Sequence, residues 1–202
     1  MGRPVAYMTI DLEDYRRQEL RDHWHPAEPA HPREVERQLD LTLELLDDVD
    51  AGATFFAVGR LVAELSRAAW RGIAGPHRLG CHGDEHLRVH RLGGRGFARD
   101  LARSRGRLEE VADRPVVSFR APYFAADGCD PWFGEVLARE GFRVDSSRRV
   151  AEMPTGREGT YPLQGGDGRV LEVPLRSLGV GSKRIAVIGG TYFRLLPTSW
   201  IV

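Results

Sequence analysis

Residues 78–86 read Arg78-Leu79-Gly80-Cys81-His82-Gly83-Asp84-Glu85-His86, a short apolar run that ends in two histidines four residues apart. The same pattern recurs along the chain. An apolar run near the N-terminus ends in Asp11-Leu12-Glu13-Asp14, another ends at Arg120, and a third ends at Asp145. Strands are expected over 5–10, 53–58, 78–82, 116–120, 142–145 and 170–173. Helical patterns fall between them. Pro32 opens one that runs to about 49, with Val35, Leu39, Thr42, Leu43, Leu46 and Val49 on one face. Others are expected over 60–71 and 96–111, the latter with Phe97, Leu101, Leu108 and Val111 inward. A fourth has Asp130 as N-cap, Pro131 in its first turn and Gly141 as stop signal.

This alternation predicts an α/β architecture with a parallel sheet. In a closed parallel β/α barrel the C-terminal strand ends share one face, where active sites are built. Asp11, His82, Arg120 and Asp145 would then meet although they are far apart in the chain. An open doubly wound sheet gathers its strand ends too, but it binds phosphates through a Gly-rich first turn. Asp11-Leu12-Glu13-Asp14 is the opposite of such a turn.

Composition narrows the function. The 202 residues suffice for one domain with a sizeable core, and 42% are apolar. Lys plus Arg equals Asp plus Glu, 29 each, which argues against a nucleic-acid or membrane-surface binder driven by bulk charge. Two cysteines, Cys81 and Cys129, make no disulfide framework, and Cys81 reads as a buried inert thiol. The first residues lack an export-signal pattern, and no stretch approaches a membrane span, so a cytoplasmic protein is expected.

His82 and His86 face the same way if they lie on a helical turn. With a carboxylate from the acidic cluster they make a ligand set for one divalent metal that leaves positions for water and substrate. The zinc-protease pattern needs Glu after the first histidine, and Gly83 stands there instead. His90 continues the spacing and is expected to be exposed. Strand alternation puts Asp11 and Glu13 on one side, so one can bind metal while the other takes a proton from water. Arg120 beside a carboxylate base would lower its pKa and fix its orientation. Pro122 then makes a rigid turn that offers the backbone N–H of Tyr123 to an oxyanion. Asp145 reads either as part of the site or as a cap of the next segment.

In order along the chain, these pieces resemble the polysaccharide deacetylases of the NodB-homology type, carbohydrate esterase family 4. The resemblance runs from about 5 to about 173. It rests on Thr9-Ile10-Asp11-Leu12-Glu13-Asp14, on Ala53-Thr54-Phe55-Phe56-Ala57-Val58-Gly59, and on His82 with His86. Arg120-Ala121-Pro122-Tyr123 and Asp145-Ser146-Ser147 complete it. The spelling Asp11-Leu12-Glu13-Asp14-Tyr15, and residues 189–197 with Gly189, Tyr192 and Pro197, resemble the branch associated with exopolysaccharide loci and the exosortase system.

The resemblance implies a distorted parallel (β/α) barrel and metal-dependent removal of N-acetyl groups from an amino sugar or polysaccharide. It implies Asp11 as general base, His82 and His86 as ligands to one divalent ion, usually zinc, and Glu13 or Asp14 as third ligand. Arg120 would hold Asp11, the Tyr123 amide would stabilise the oxyanion, and Asp145 would support them. An N-acetylated carbohydrate is the implied partner. The family takes its general acid from a late Leu-x-His strand, whereas this chain has no histidine after His90. Trp200-Ile201-Val202 reads like the middle of an element. The expectation is therefore one catalytic domain over 1–202, incomplete at its C-terminus, with His23 or His25 as alternative acids. Two rival readings are a small-amide hydrolase or deformylase on the same fold, and a noncatalytic carbohydrate-binding domain. Trp24, Trp132 and Trp200 could stack on sugar rings or serve packing.

Overall fold

The computed structural model describes residues 8–14, 32–126, 129, 132–150, 159–180 and 183–186. Its best-covered strand is β2 (Thr54–Ala57), in which Phe55, Phe56 and Ala57 are all buried. A strand enclosed on both faces needs no polar alternation, which accounts for the unbroken Phe55-Phe56-Ala57. On one side it pairs in parallel with β1 (Thr9–Leu12), Thr9 opposite Thr54 and Leu12 opposite Ala57. On the other it pairs in parallel with β3 (Arg78–Cys81).

The ladder continues in parallel through β4 (Ser118–Phe119) and β5 (Val144–Asp145). After β6 (Arg149–Val150) the chain returns through β7 (Tyr161–Pro162) and β8 (Leu171–Glu172). β8 pairs in parallel with β5, and β7 adds an antiparallel edge, giving the order β1-β2-β3-β4-β5-β8-β7. A smaller sheet joins β6 to β9 (Leu175–Val180) and β10 (Lys183–Ala186), in the order β10-β9-β6. The fold is α/β with a mostly parallel sheet. Among the described residues no pairing joins β1 to β7, so the described strands do not close a barrel.

Four α-helices among the described residues carry the apolar cover. α1 (Pro32–Asp48) buries Val35, Leu39 and Leu46. Val49, expected on that face, lies in the following turn and is exposed. α2 (Arg67–Ile73) buries Trp70 and Ile73. α3 (Val89–Glu109) buries Phe97, Leu101 and Leu108, and α4 (Trp132–Arg139) buries Phe133 and Leu137. Phe97 stacks on Phe133 at 5.4 Å and meets Phe119 of β4 edge-on at 5.3 Å, which ties both helices to the sheet.

Three boundaries differ from the sequence reading. The expected helix over 60–71 is two pieces, a 3-10 turn Gly59–Ala63 and then α2. Ser66 separates them by capping α2, its Oγ accepting from the Ala69 N–H at 3.3 Å. α3 starts seven residues earlier than expected, with a break at Gly93, where φ is 61°. β1 runs past the expected end at 10 to Leu12, because Asp11 and Leu12 continue the ladder opposite Phe56 and Ala57, while residues 5–7 lie outside the described residues. Asp130, Pro131, His23, His25, Trp24, Trp200 and residues 189–197 lie outside the described residues. Among the described residues no helix is long and apolar enough to cross a membrane.

Candidate metal centre and acid–base pair

The strand ends do converge. Arg120 follows β4 and is 3% exposed, although it carries a permanent charge. Burial of a guanidinium is tolerable only if its N–H groups are matched. Here Nη1 donates to Asp11 Oδ1 at 2.8 Å, and Nη2 donates to Thr9 Oγ1 and Ser146 Oγ, each at 2.9 Å. Nε donates to the Ser146 carbonyl at 3.1 Å. The guanidinium also lies over the Phe56 ring, 4.2 Å from its centroid. Asp11 thus has one oxygen tied to a cation.

The Arg120 backbone does a second job. Its carbonyl oxygen lies 2.8 Å from His82 Nδ1. A carbonyl can only accept, so Nδ1 carries the proton and Nε2 presents its lone pair. Burial lowers the His82 pKa, the nearby His86 lowers it further, and Asp11 and Glu13 oppose both. His82 is therefore held neutral, the form that binds metal.

His86 Nε2 lies 3.2 Å from His82 Nε2. Glu13 Oε2 is 3.9 Å from His82 Nε2 and is in direct contact with His86 Nε2. Ligand atoms about 2.0 Å from a tetrahedral zinc stand about 3.3 Å from one another. The spacing of this trio, with one ligand atom of each residue within 4.8 Å of the others, fits such an ion. Two imidazoles and a carboxylate are also the right donor types. Asp14 is buried but stands outside the trio.

The histidine pair does not sit on a helical turn, as its spacing predicts. It spans a loop in which Gly83 and His86 both have positive φ, 76° and 57°. Neighbouring elements hold this shape. The Gly83 carbonyl accepts from the Gly59 N–H and from Ser104 Oγ, each at 2.9 Å. The Asp84 carbonyl accepts from the Arg60 N–H at 3.2 Å, and the Asp84 N–H donates to Asp100 Oδ2 at 3.0 Å. The Asp84 carboxylate pairs with Arg107 at 3.1 Å and Arg103 at 3.5 Å. Gly59 must be glycine here, since a Cβ would lie 2.7 Å from Ser104 Cα and Asp84 Oδ1.

Tyr123 also takes a left-handed backbone, with φ 60°, in the 3-10 turn Pro122–Phe124. Left-handed non-glycine residues cost roughly 1–2 kcal/mol each, and His86 and Tyr123 are neighbours in space. Their rings are 4.7 Å apart, and Arg88 lies over the Tyr123 ring at 4.2 Å. Asp145 is fully buried, and its contacts run to Ser147 and Glu172 rather than to the trio. Cys81 is the inert thiol expected, pushed up to about 12 chiefly by burial. His90 is exposed.

Sequence reasoning missed Thr9, Ser146, Ser147 and Glu172, and also Asp84, Asp100 and Ser104. Asp100 and Ser104 carried a signal, because they interrupt the inward stripe of Phe97, Leu101 and Leu108. A polar residue on a buried helix face needs a partner.

Residues 32–128 match the family model for polysaccharide deacetylase. That stretch contains His82, His86, Arg120 and Tyr123 but not Asp11, Glu13 or Asp145. No curated protein matches the chain. Among solved structures, one from Mycobacterium smegmatis assigned as a polysaccharide deacetylase is 23% identical, with a TM-score of 0.62. The match covers 86% of this chain and 62% of that one. A family 4 carbohydrate esterase from Streptomyces lividans in complex with acetate is 15% identical, with a TM-score of 0.51. There the match covers 75% of this chain and 64% of the other. The chain thus spans less than two thirds of these two structures. Likeness at these identities establishes the shared fold.

Proposed function

We propose that this chain is a metal-dependent hydrolase that removes N-acetyl groups from an amino sugar or polysaccharide. The observation that carries the reading is the Asp11–Arg120 ion pair beside the Glu13, His82 and His86 trio. The deacetylase family match over 32–128 and the fold of the family 4 carbohydrate esterase support the substrate class. The acetate in that esterase structure is the small product that such a reaction would release. We read 1–202 as part of one catalytic domain of this type. The spelling of residues 11–15 supports the exopolysaccharide-associated branch.

Glu13, His82 and His86 would hold one divalent ion, with zinc favoured by two imidazoles and a carboxylate. When bound, the ion supplies Lewis acidity towards water and a carbonyl oxygen. Asp11 takes the proton from the attacking water. Arg120 holds Asp11 Oδ1 and so fixes the orientation of the carboxylate for that transfer. The Tyr123 N–H, in the left-handed turn, would donate to the developing oxyanion.

A second reading is a carbohydrate-binding domain that keeps the metal but not the turnover. Acetate release from acetylated amino-sugar oligomers, measured on zinc-loaded protein, separates the two. Release that is abolished by Asp11→Asn with metal content intact supports the hydrolase. Calorimetric binding of the same oligomers with no release supports the binding domain.

A further inference from the structure

β5 and β8 are paired in parallel with Asp145 directly opposite Glu172. Their side chains therefore leave the same face of the sheet at the same height. Both residues are 0% exposed. One oxygen of each is engaged. Asp145 Oδ1 accepts from Ser147 Oγ at 2.6 Å, and Glu172 Oε1 accepts from the Arg148 backbone N–H at 3.0 Å. The second oxygens, Asp145 Oδ2 and Glu172 Oε2, are buried and have no hydrogen-bond partner among the described residues. The register sets the two carboxyl groups side by side in the core.

Two ionised carboxylates in this position would repel each other where water cannot screen them. The charged groups bearing on Asp145 are Glu172 and Arg148, and the Arg148 guanidinium lies over the Phe133 ring at 5.5 Å. A single proton between the second oxygens would turn two orphan acceptors into one donor and one acceptor.

We propose that Asp145 and Glu172 share one proton, and that this buried pair positions Arg120 and the turn that carries Tyr123. The connection is the loop 146–148. Ser147 is anchored on Asp145, and its Oγ accepts from the Ala121 N–H at 2.8 Å. The Arg148 N–H is anchored on Glu172. Between these anchors, Ser146 gives its carbonyl and its hydroxyl to the Arg120 guanidinium. Ser146 Oγ in turn donates to the Val173 carbonyl at 2.9 Å, beside Glu172. Arg120 passes this order to Asp11 through its side chain and to His82 through its carbonyl. Glu172 touches no reacting group in this scheme and is a positioning residue, as is Asp145. Burial and the neighbouring Glu172 raise the Asp145 pKa well above the usual carboxylate range, in keeping with a retained proton.

The proton is tested without reference to turnover. Infrared difference spectra at about neutral pH, where an ordinary carboxylic acid is ionised, should show a protonated-carboxyl band in the parent. Glu172→Gln should lose it, because the amide supplies the donor and leaves Asp145 ionised. A parent without the band, or a band unchanged in Glu172→Gln, overturns the shared proton. The positioning role rests on the proposed hydrolase reading and is tested by kinetics and metal content together. Glu172→Ala should lower kcat about tenfold or more, with KM and bound zinc near the parent values. Glu172→Gln should restore most of that loss. Parent-like kcat in Glu172→Ala overturns the positioning role. If Glu172→Ala does not fold, the same role fails when Glu172→Gln loses kcat as severely as Arg120→Lys. A parent that shows the band but no acetate release refutes the hydrolase reading and leaves the shared proton standing.

Discussion

The histidine loop and the Asp11 arm face the same site and are held by opposite means. The loop 82–86 is gripped largely through its backbone. Gly59 and Arg60 donate to its carbonyls, and Asp100 and Ser104 of α3 reach it from below. The backbone of the Asp11 arm lies in the β1–β2 ladder, but among the described residues its carboxylate is held by one side chain, Arg120, which also joins Thr9 and Ser146. A grip distributed over several backbone bonds should yield gradually when one partner is removed. A hub should fail at once. The loop carries two of the proposed metal ligands, while the arm carries the proposed base and, at Glu13, the third ligand.

The largest effect should come from removing the ligands themselves. His82→Ala combined with His86→Ala should bring zinc content in dialysed protein to background and abolish acetate release. Unchanged stoichiometry would place the metal elsewhere. Next comes Asp11→Asn, which should lower kcat by about 10²–10⁴ while the zinc remains. A near-parental rate would remove Asp11 from the role of base.

Arg120→Lys tests the hub. Lysine keeps the charge but cannot make the fork of bonds to Asp11, Thr9 and Ser146. A loss of roughly 2–4 kcal/mol in denaturant unfolding is expected, together with a fall in kcat. On the other side, Ser104→Ala removes one of two donors to the Gly83 carbonyl. It should cost only about 1–2 kcal/mol and leave zinc content near the parent value, because the Gly59 N–H remains. Equal losses in the two variants would erase the distinction between hub and distributed grip.

An effect confined to a pH window concerns Asp100, pushed up to about 6 chiefly by burial. A carboxyl that holds its proton more tightly when folded than when unfolded adds stability in acid. That contribution is complete below the ordinary carboxylate pKa and is lost as pH rises through about 6. Thermal unfolding of the parent and of Asp100→Asn should therefore diverge between about pH 4 and 6. The parent should lose on the order of 2 kcal/mol relative to the variant, and the difference should level off above about pH 7. Parallel curves would show that Asp100 titrates normally.

Much of the scaffold was legible because burial leaves a plain trace. Phe55-Phe56-Ala57 announces an enclosed strand, and the 3.6-residue stripe of Val35, Leu39 and Leu46 announces α1. The convergence of Asp11, His82 and Arg120 followed from their places beside parallel strand ends. The split around Ser66 was hidden because the cap is a single hydroxyl within an otherwise helical pattern. The early start of α3 was hidden because Gly93, Gly94 and Gly96 look like stop signals, while only Gly93 breaks the helix. The two-residue strands β6 and β7 have no periodicity to read. At the site, residue types were readable but partners were not. Glu172 becomes meaningful only when the register sets it against Asp145.

The most direct test is anomalous diffraction at the zinc edge from zinc-loaded crystals of the protein. One anomalous peak is expected, within bonding distance of Glu13, His82 Nε2 and His86 Nε2, with Asp11 bound to Arg120 and not to the ion. A peak ligated by Asp11, or no peak among these four residues, would contradict the assignment of metal ligands and base.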